Sequence, residues 1–157
     1  MKIKELSFQK PFTITRSDNL DLAANLMWEH DLGALPVANE NDQVIGMITD
    51  RDIAMAAFIQ GKRLIDVLVE SAMSKSAIAC NRDDDLSDAL ELMQKHQVRR
   101  IPILDNAQKL IGILSLNDVV LAYKSRPKKD LKAELVADTL AEICKHRPHP
   151  TAAKQVA

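Results

Sequence analysis

Two constellations in this chain have the residue types and spacing to do chemistry. Thr49-x-x-Asp52 and Ser115-x-x-Asp118 each set a hydroxyl three residues ahead of a carboxylate, where an apolar run gives way to helical periodicity. A carboxylate on a first helical turn accepts two donors at once. A phosphate at the same junction meets free backbone N–H groups and the positive end of the helix dipole. The four residues serve equally well as caps, the hydroxyl at the N-cap and the Asp helping from the first turn. Ahead of the second pair stand Arg99 and Arg100, either a forked, permanently charged anion site or a solvated pair at a sheet edge. Gly33 and Ala34 hold the matching place ahead of the first pair and supply room without charge. Arg51 either reaches phosphate from a helix N-terminus or pairs with Asp50.

No nucleophile stands beside a base, and no paired acids or metal constellation appear, so no enzyme and no catalytic cofactor are expected. Cys80 and Cys144 lack C-x-x-C spacing, and Cys80 reads as a small apolar core residue. His146 and His149 lack a third ligand for a metal. His30 and His96 recur at equivalent helix ends, which suggests a shared structural role such as a C-terminal cap. Lys and Arg number 21 against 22 Asp and Glu, and this balance argues against a nucleic-acid partner. No apolar run approaches the roughly 18 residues that span a bilayer, and the charged start Met1–Glu5 lacks the apolar segment of a secretory signal. A soluble cytoplasmic protein without a membrane partner is expected.

What positions the two pairs is a repeat. Thr13–Ile53 overlays Ala79–Val119 without a gap at a shift of 66 residues, aligning eleven identical pairs that include Asp18/Asp84, Pro36/Pro102, Gly46/Gly112 and Asp52/Asp118. Each copy alone is near the size at which a core becomes marginal, so the two are expected to fold as one unit with function in the crevice between them. With 46% hydrophobic and 3% aromatic residues, that core is built from Leu, Ile, Val, Ala and Met.

Thr13–Thr15 and Ile78–Cys80 predict short strands, and Asp18 and Asp84 predict N-caps. The helices that follow should bury Leu22, Ala23, Leu26 and Met27 in one copy and Leu86, Ala89, Leu90 and Met93 in the other. Ala34–Ala38 and Arg100–Leu104 predict strands with Pro36 and Pro102 at a sheet edge or strand start, because Pro donates nothing to a ladder. After polar turns at Asn39–Gln43 and Asp105–Gln108, strands Val44–Thr49 and Leu110–Ser115 lead into helices Asp50–Gln60 and Leu116–Lys124. Gly46 and Gly112, inside strands, mark either close approach of a backbone or ligand, or a β-bulge. The connection Lys62–Ser76 is expected to be helical around Ile65–Ala72. A basic hinge at Ser125–Lys129 precedes a helix over Asp130–Lys145. Its stripe of Leu131, Leu135, Leu140 and Ile143 must be covered by its own repeat pair or by a second subunit.

These features resemble the cystathionine-β-synthase (CBS) domain, and the pair resembles the tandem arrangement called a Bateman module. The likeness rests on Leu35-Pro36-Val37 and Ile101-Pro102-Ile103, on the Ile-Gly turns, and on the closing Thr49-x-x-Asp52 and Ser115-x-x-Asp118. It implies an α/β (α+β) fold of two β-α-β-β-α repeats packed with pseudo-two-fold symmetry. Repeat 1 would span residues 8–62, a linker 63–76, repeat 2 residues 77–124, and a C-terminal hinge, helix and tail 125–157. It implies a regulatory module that senses an adenosine-containing ligand (AMP, ADP, ATP or S-adenosylmethionine) and signals to an unidentified effector protein, commonly as a homodimer. A scaffold whose clefts hold no ligand is the alternative.

By the same resemblance Asp52 and Asp118 would accept hydrogen bonds from ribose hydroxyls, and Thr49 and Ser115 would meet phosphate. The main nucleotide site is expected in the second-copy cleft, from Arg99, Arg100, Ile101, Pro102, Ser115 and Asp118, completed by Phe12, Thr13 and Ile14. A weaker first-copy cleft would use Gly33, Ala34, Leu35, Pro36, Thr49, Arg51 and Asp52, completed by Lys75, Ala77 and Ile78.

Overall fold

The repeat in the sequence recurs in the backbone, down to single dihedral angles. In the computed structural model of the chain, residues 1–6, 8, 10–125 and 131–146 are described. The first repeat carries α1 (Leu20–Glu29), β1 (Ala34–Ala38), β2 (Val44–Thr49) and α2 (Asp50–Gln60). The second carries β3 (Cys80–Asn81), α3 (Leu86–His96), β4 (Arg100–Leu104), β5 (Leu110–Ser115) and α4 (Leu116–Ser125), and α5 (Ala133–Cys144) follows. β1 and β2 pair antiparallel, while β4 pairs antiparallel with β5 and parallel with β3. Left-handed φ angles recur at equivalent turns, 52° at Asp31 and 50° at Gln97, then 60° at Asp42 and 61° at Gln108.

The strand expected at Thr13–Thr15 is reduced to a single parallel bridge from Ile14 to Val37. There the Ile14 N–H donates to the Pro36 carbonyl at 3.1 Å, and the Ala38 N–H donates to the Ile14 carbonyl at 2.9 Å. Pro36 therefore turns its donorless nitrogen toward this outer edge and leaves the β1–β2 ladder intact. Ile45 and Ile111 are the extra residues of matching bulges, where the register steps from Val37↔Gly46 to Ala38↔Val44 and from Ile103↔Gly112 to Leu104↔Leu110. The adjacent glycines also admit another stretch of chain. A Cβ on Gly46 would lie 2.5 Å from the Ser74 carbonyl oxygen, and one on Gly112 2.6 Å from the Phe8 Cβ.

Those contacts belong to an exchange of leading segments. Residues 1–6 and Phe8 precede the first repeat and pack on the second, whereas residues 67–74 precede the second and pack on the first. The Ile3 N–H donates to the Asp84 carbonyl at 3.0 Å, as the Val69 N–H does to that of Asp18 at 2.8 Å. The first N–H of α3, on Leu86, finds the Met1 carbonyl at 2.9 Å, and that of α1, on Leu20, finds the Val67 carbonyl at 2.9 Å. Two orphan helix donors are thereby satisfied from the exchanged segments. Ile3 lies in the core of the second repeat and Val69 in that of the first. Ion pairs Lys2–Asp85 at 2.9 Å and Lys4–Asp83 at 2.8 Å fasten one segment, and Arg16–Glu70 fastens the other.

The exchange accounts for two departures from expectation. The connection around Ile65–Ala72 is helical only as two short 3-10 helices, Leu64–Asp66 and Val69–Ser71, and forms no continuous α-helix, because the Val69, Glu70 and Ser74 N–H groups and the Val67 carbonyl are committed to the first repeat. The N-caps fall one residue later than Asp18 and Asp84. Asn19 caps α1 by accepting the Leu22 N–H at 2.9 Å, while Asp18 accepts the Thr15 N–H and hydroxyl, each at 2.8 Å. Asp85 precedes α3, but its carboxylate is taken by Lys2, and Asp84 closes a turn with the Asn81 N–H at 2.7 Å. The Lys2 and Lys4 hydrogen bonds hold the Asp85 and Asp83 carboxyls below their ordinary range.

Each repeat has its own core. Leu20, Ala23 and Met27 of α1 face the first, and Leu22 is exposed because two residues carry it about half a turn away from Leu20. α3 buries Leu86, Ala89, Leu90 and Met93. α5 packs on α3 within the same chain: Leu131, Leu135, Val136 and Ile143 join the second core, and Leu140 points to solvent. Thr139 is buried there, donating to the Leu135 carbonyl and accepting from the Gln94 amide, both at 2.7 Å. The hinge at 126–129 and His149 lie outside the described residues. No helix among those described is long and apolar enough to cross a membrane.

Candidate functional site

At the end of β2 the chain turns into α2, and Thr49 and Asp52 cap each other. The Asp52 N–H donates to Thr49 Oγ1 at 3.2 Å, and Asp52 Oδ2 accepts the Thr49 N–H at 2.9 Å and its hydroxyl at 2.6 Å. Ser115 and Asp118 repeat this box between β5 and α4, with 3.2, 2.8 and 2.5 Å for the same three contacts. Capping consumes the hydroxyl and one carboxylate oxygen of each pair. Oδ1 of Asp52 and of Asp118 has no hydrogen-bond partner among the described residues, and Asp118 is exposed.

Asp118 opens onto a cleft of about 460 Å³ formed by both repeats. The segment leading into the first repeat contributes Phe8, Lys10, Pro11 and Phe12; the first repeat adds His30, Leu32 and Ala34; the second adds Ile113 and Asp118. Phe12 stacks on His30 with ring centroids 3.8 Å apart and planes 15° from parallel. His30 is also the C-cap of α1, its N–H donating to the Leu26 carbonyl at 3.2 Å. A smaller pocket of about 230 Å³ adjoins the cleft, sharing Lys10 and Pro11 and adding Thr13, Ala38, Asp42, Lys109 and Leu110.

Of the residues named from the sequence for the second-copy cleft, Phe12 and Asp118 line this space and Thr13 lines its neighbour. Ile14 and Ile101 lie in the two cores, and Pro102 is buried in β4. Arg99 is exposed, and its carbonyl accepts the Leu116 N–H at 2.9 Å. Arg100 faces Ser115 across the β4–β5 ladder, but its guanidinium lies against the other repeat, 2.9 Å from where a Cβ on Gly33 would stand.

Moving the lining of the large cleft by 66 residues lands on Ser74, Ser76, Ala77, Ile78, His96, Val98, Arg100, Met47 and Asp52. Those are the equivalent positions around Asp52, where the expected first-copy cleft would lie, with Arg100 in the place of Ala34. Ala34, named for the first copy, lines the second-copy space instead. Leu35 and Pro36 are buried in β1, Lys75 is exposed, and the Arg51 N–H donates to Asp50 Oδ1 at 2.7 Å. Sequence reasoning missed Phe8, Lys10, Pro11, Leu32 and Ile113, and gave His30 only a structural role at a helix end. The signal was present: Lys75, Ala77 and Ile78 were assigned to one cleft, and the same shift carries the stretch 75–78 back onto residues 9–12.

Cys80 packs in the second core, where burial first, and then the charges of Asp84 and Asp88, push its thiol up to about 11. Among the described residues no three His, Cys, Asp or Glu converge as a metal site would need.

A family model described as the CBS domain matches residues 3–58 and again 69–125. The chain belongs to the CBS domain family. The two matches begin at Ile3 and Val69, the equivalent core residues of the exchanged segments. Among relatives, this CBS pair is 37% identical over 123 residues to the CBS domain-containing protein YhcV of Bacillus subtilis, covering 78% of this chain and 86% of YhcV. It spans about half, 48%, of a Methanopyrus kandleri relative of uncharacterized role that it matches at 37% identity. Among solved structures, CBSX2 in complex with AMP superposes at a TM-score of 0.67 with 27% identity, covering 78% of this chain and 96% of that one. The CBS pair of protein MJ0100, in complex with 5′-methylthioadenosine and S-adenosyl-L-methionine, superposes at 0.66 with 26% identity, covering 78% and 99%.

Proposed function

We propose that this CBS pair is a cytoplasmic regulatory module, not an enzyme, which binds an adenosine-containing ligand in the Asp118 cleft and passes the resulting change to an effector protein. The observation that carries the reading is the unengaged Oδ1 of Asp118 at the mouth of a cleft of about 460 Å³, a volume within the ordinary range of small-molecule sites. Ribose hydroxyls would donate to that oxygen, and Phe8, Leu32, Ala34 and Ile113 would surround the base. The AMP complex of CBSX2 and the adenosyl complexes of the MJ0100 pair support this ligand class. Binding would act on the rest of the molecule through Phe8, Lys10, Pro11 and Phe12, which line the cleft and lead back to the exchanged segment on the second repeat.

Exposed apolar residues favour protein contact as well. Phe58, Ile59 and Met55 on α2 and Leu121 on α4 face solvent, and a homodimer or effector surface is the reading they support. On their own they also fit an interaction scaffold whose clefts stay empty. Isothermal titration with adenosine, AMP, ADP, ATP and S-adenosylmethionine separates the two. The sensing reading expects at least one of them to bind, with binding lost in Asp118→Asn and retained in Asp52→Asn. Wild-type protein that binds none of the five leaves the scaffold.

A further inference from the structure

We infer that Lys10 is the phosphate-binding group of the Asp118 cleft, so that its ligand is an adenine nucleotide bearing a 5′-phosphate rather than a sulfonium adenosyl compound. This rests on the adenosyl reading of the cleft and narrows it.

Of the other groups suited to phosphate, Ser115 and Arg100 are engaged elsewhere and Arg99 does not line the cleft. The Ser115 hydroxyl donates to Asp118 Oδ2 at 2.5 Å and accepts the Asp118 N–H at 3.2 Å, so the capping box leaves it no free proton to offer. The Arg100 guanidinium lies against Gly33, and Arg100 is not among the residues that line the large cleft. Lys10 is the one Lys or Arg that lines the large cleft among the described residues, and there its ammonium has no hydrogen-bond or ion-pair partner. An exposed ammonium facing a concave space attracts anions at little desolvation cost.

Two further features agree. Lys10 also lines the adjoining pocket, where Lys109 is a second cation and Asp42 the one carboxylate, so the charge balance on that side of the cleft stays positive. Its equivalent in the first-copy cleft is Ser76, which carries no charge. The cleft therefore presents an acceptor for ribose at Asp118 and a cation for phosphate at Lys10, and apolar residues make up most of the remaining lining. At the ligand's 5′ position a phosphate would pair with this ammonium, whereas the sulfonium of S-adenosylmethionine would meet like charge, offset only by a carboxylate several bonds farther out.

The test is titration calorimetry with AMP, unphosphorylated adenosine and S-adenosylmethionine on the wild-type chain, Lys10→Met and Lys10→Arg. In the wild type AMP should bind more tightly than adenosine and S-adenosylmethionine, and its affinity should fall as salt rises. Lys10→Met should weaken AMP by roughly tenfold or more, as loss of a charge-assisted contact does, leave adenosine unchanged and flatten the salt dependence. Lys10→Arg should restore AMP binding. An equal loss for adenosine and AMP in Lys10→Met, or no loss for either, overturns the assignment while leaving adenosyl sensing in place. So does S-adenosylmethionine binding as tightly as AMP to the wild type. Wild-type protein that binds none of the three overturns the sensing reading itself and this assignment with it.

Discussion

In the proposed reading Asp118 serves two ends with one side chain. Its Oδ2 closes a capping box that would be needed with or without a ligand, and its Oδ1 is left over. The carboxylate is therefore held by the same contact that gives it a structural role, and this preorganisation would lower the cost of the proposed binding. The cysteines show the same dependence on surroundings. Cys80 is buried with its thiol pushed up to about 11, and Cys144 is exposed. At pH 8 only about one Cys80 thiol in a thousand is ionised, and the thiolate is the reactive form. Iodoacetamide at that pH should modify Cys144 in the native protein and reach Cys80 only after denaturation, as peptide mass spectrometry would read. Native Cys80 labelled as fast as Cys144 would contradict the burial.

At the scale of elements, the glycines divide by what they touch. A Cβ on Gly46 or Gly112 would run into the Ser74 backbone carbonyl or the Phe8 Cβ, neither of which moves without displacing an exchanged segment. A Cβ on Gly33 would meet only the far end of the Arg100 side chain, which swings away. Gly46→Ala and Gly112→Ala should each cost about 1–3 kcal/mol in denaturant unfolding, and Gly33→Ala clearly less. Equal losses at all three would show that the segments yield. The sequence made β1, β2, β4, β5 and α2 legible to the residue, because Pro36, Pro102, the Ile-Gly steps and the closing hydroxyls punctuate them locally. It concealed what depends on distant partners. Asp85 stands where a cap would and is taken by Lys2. The stretch around Ile65–Ala72 forms no α-helix because residues 67–74 are held against the first repeat, as the leading segment is against the second. Phe8, Lys10 and Pro11 went unseen in the cleft for the same reason, since they follow the leading segment that is held against the second repeat.

For the whole molecule, the exchange makes each repeat depend on a segment that the chain delivers from the other side. Neither core is complete without it: Ile3 is fully buried in the second repeat and Val69 in the first. Two tandem domains joined by an ordinary linker would unfold separately, and a defect in one would spare the other. Here the second repeat cannot lose its leading segment without freeing residues that run directly into Phe12 and Ile14 of the first. Ile3→Ala should therefore cost about 2–5 kcal/mol, the usual range for truncating a buried Ile. The loss should appear in both repeats at once. Native-state hydrogen exchange of the variant is expected to show α1 and α3 losing protection by similar amounts, with a single cooperative transition in denaturant. Protection lost from α3 alone would mean that the repeats are energetically independent, and a ligand held between them would then have no rigid path from its cleft to the rest of the molecule.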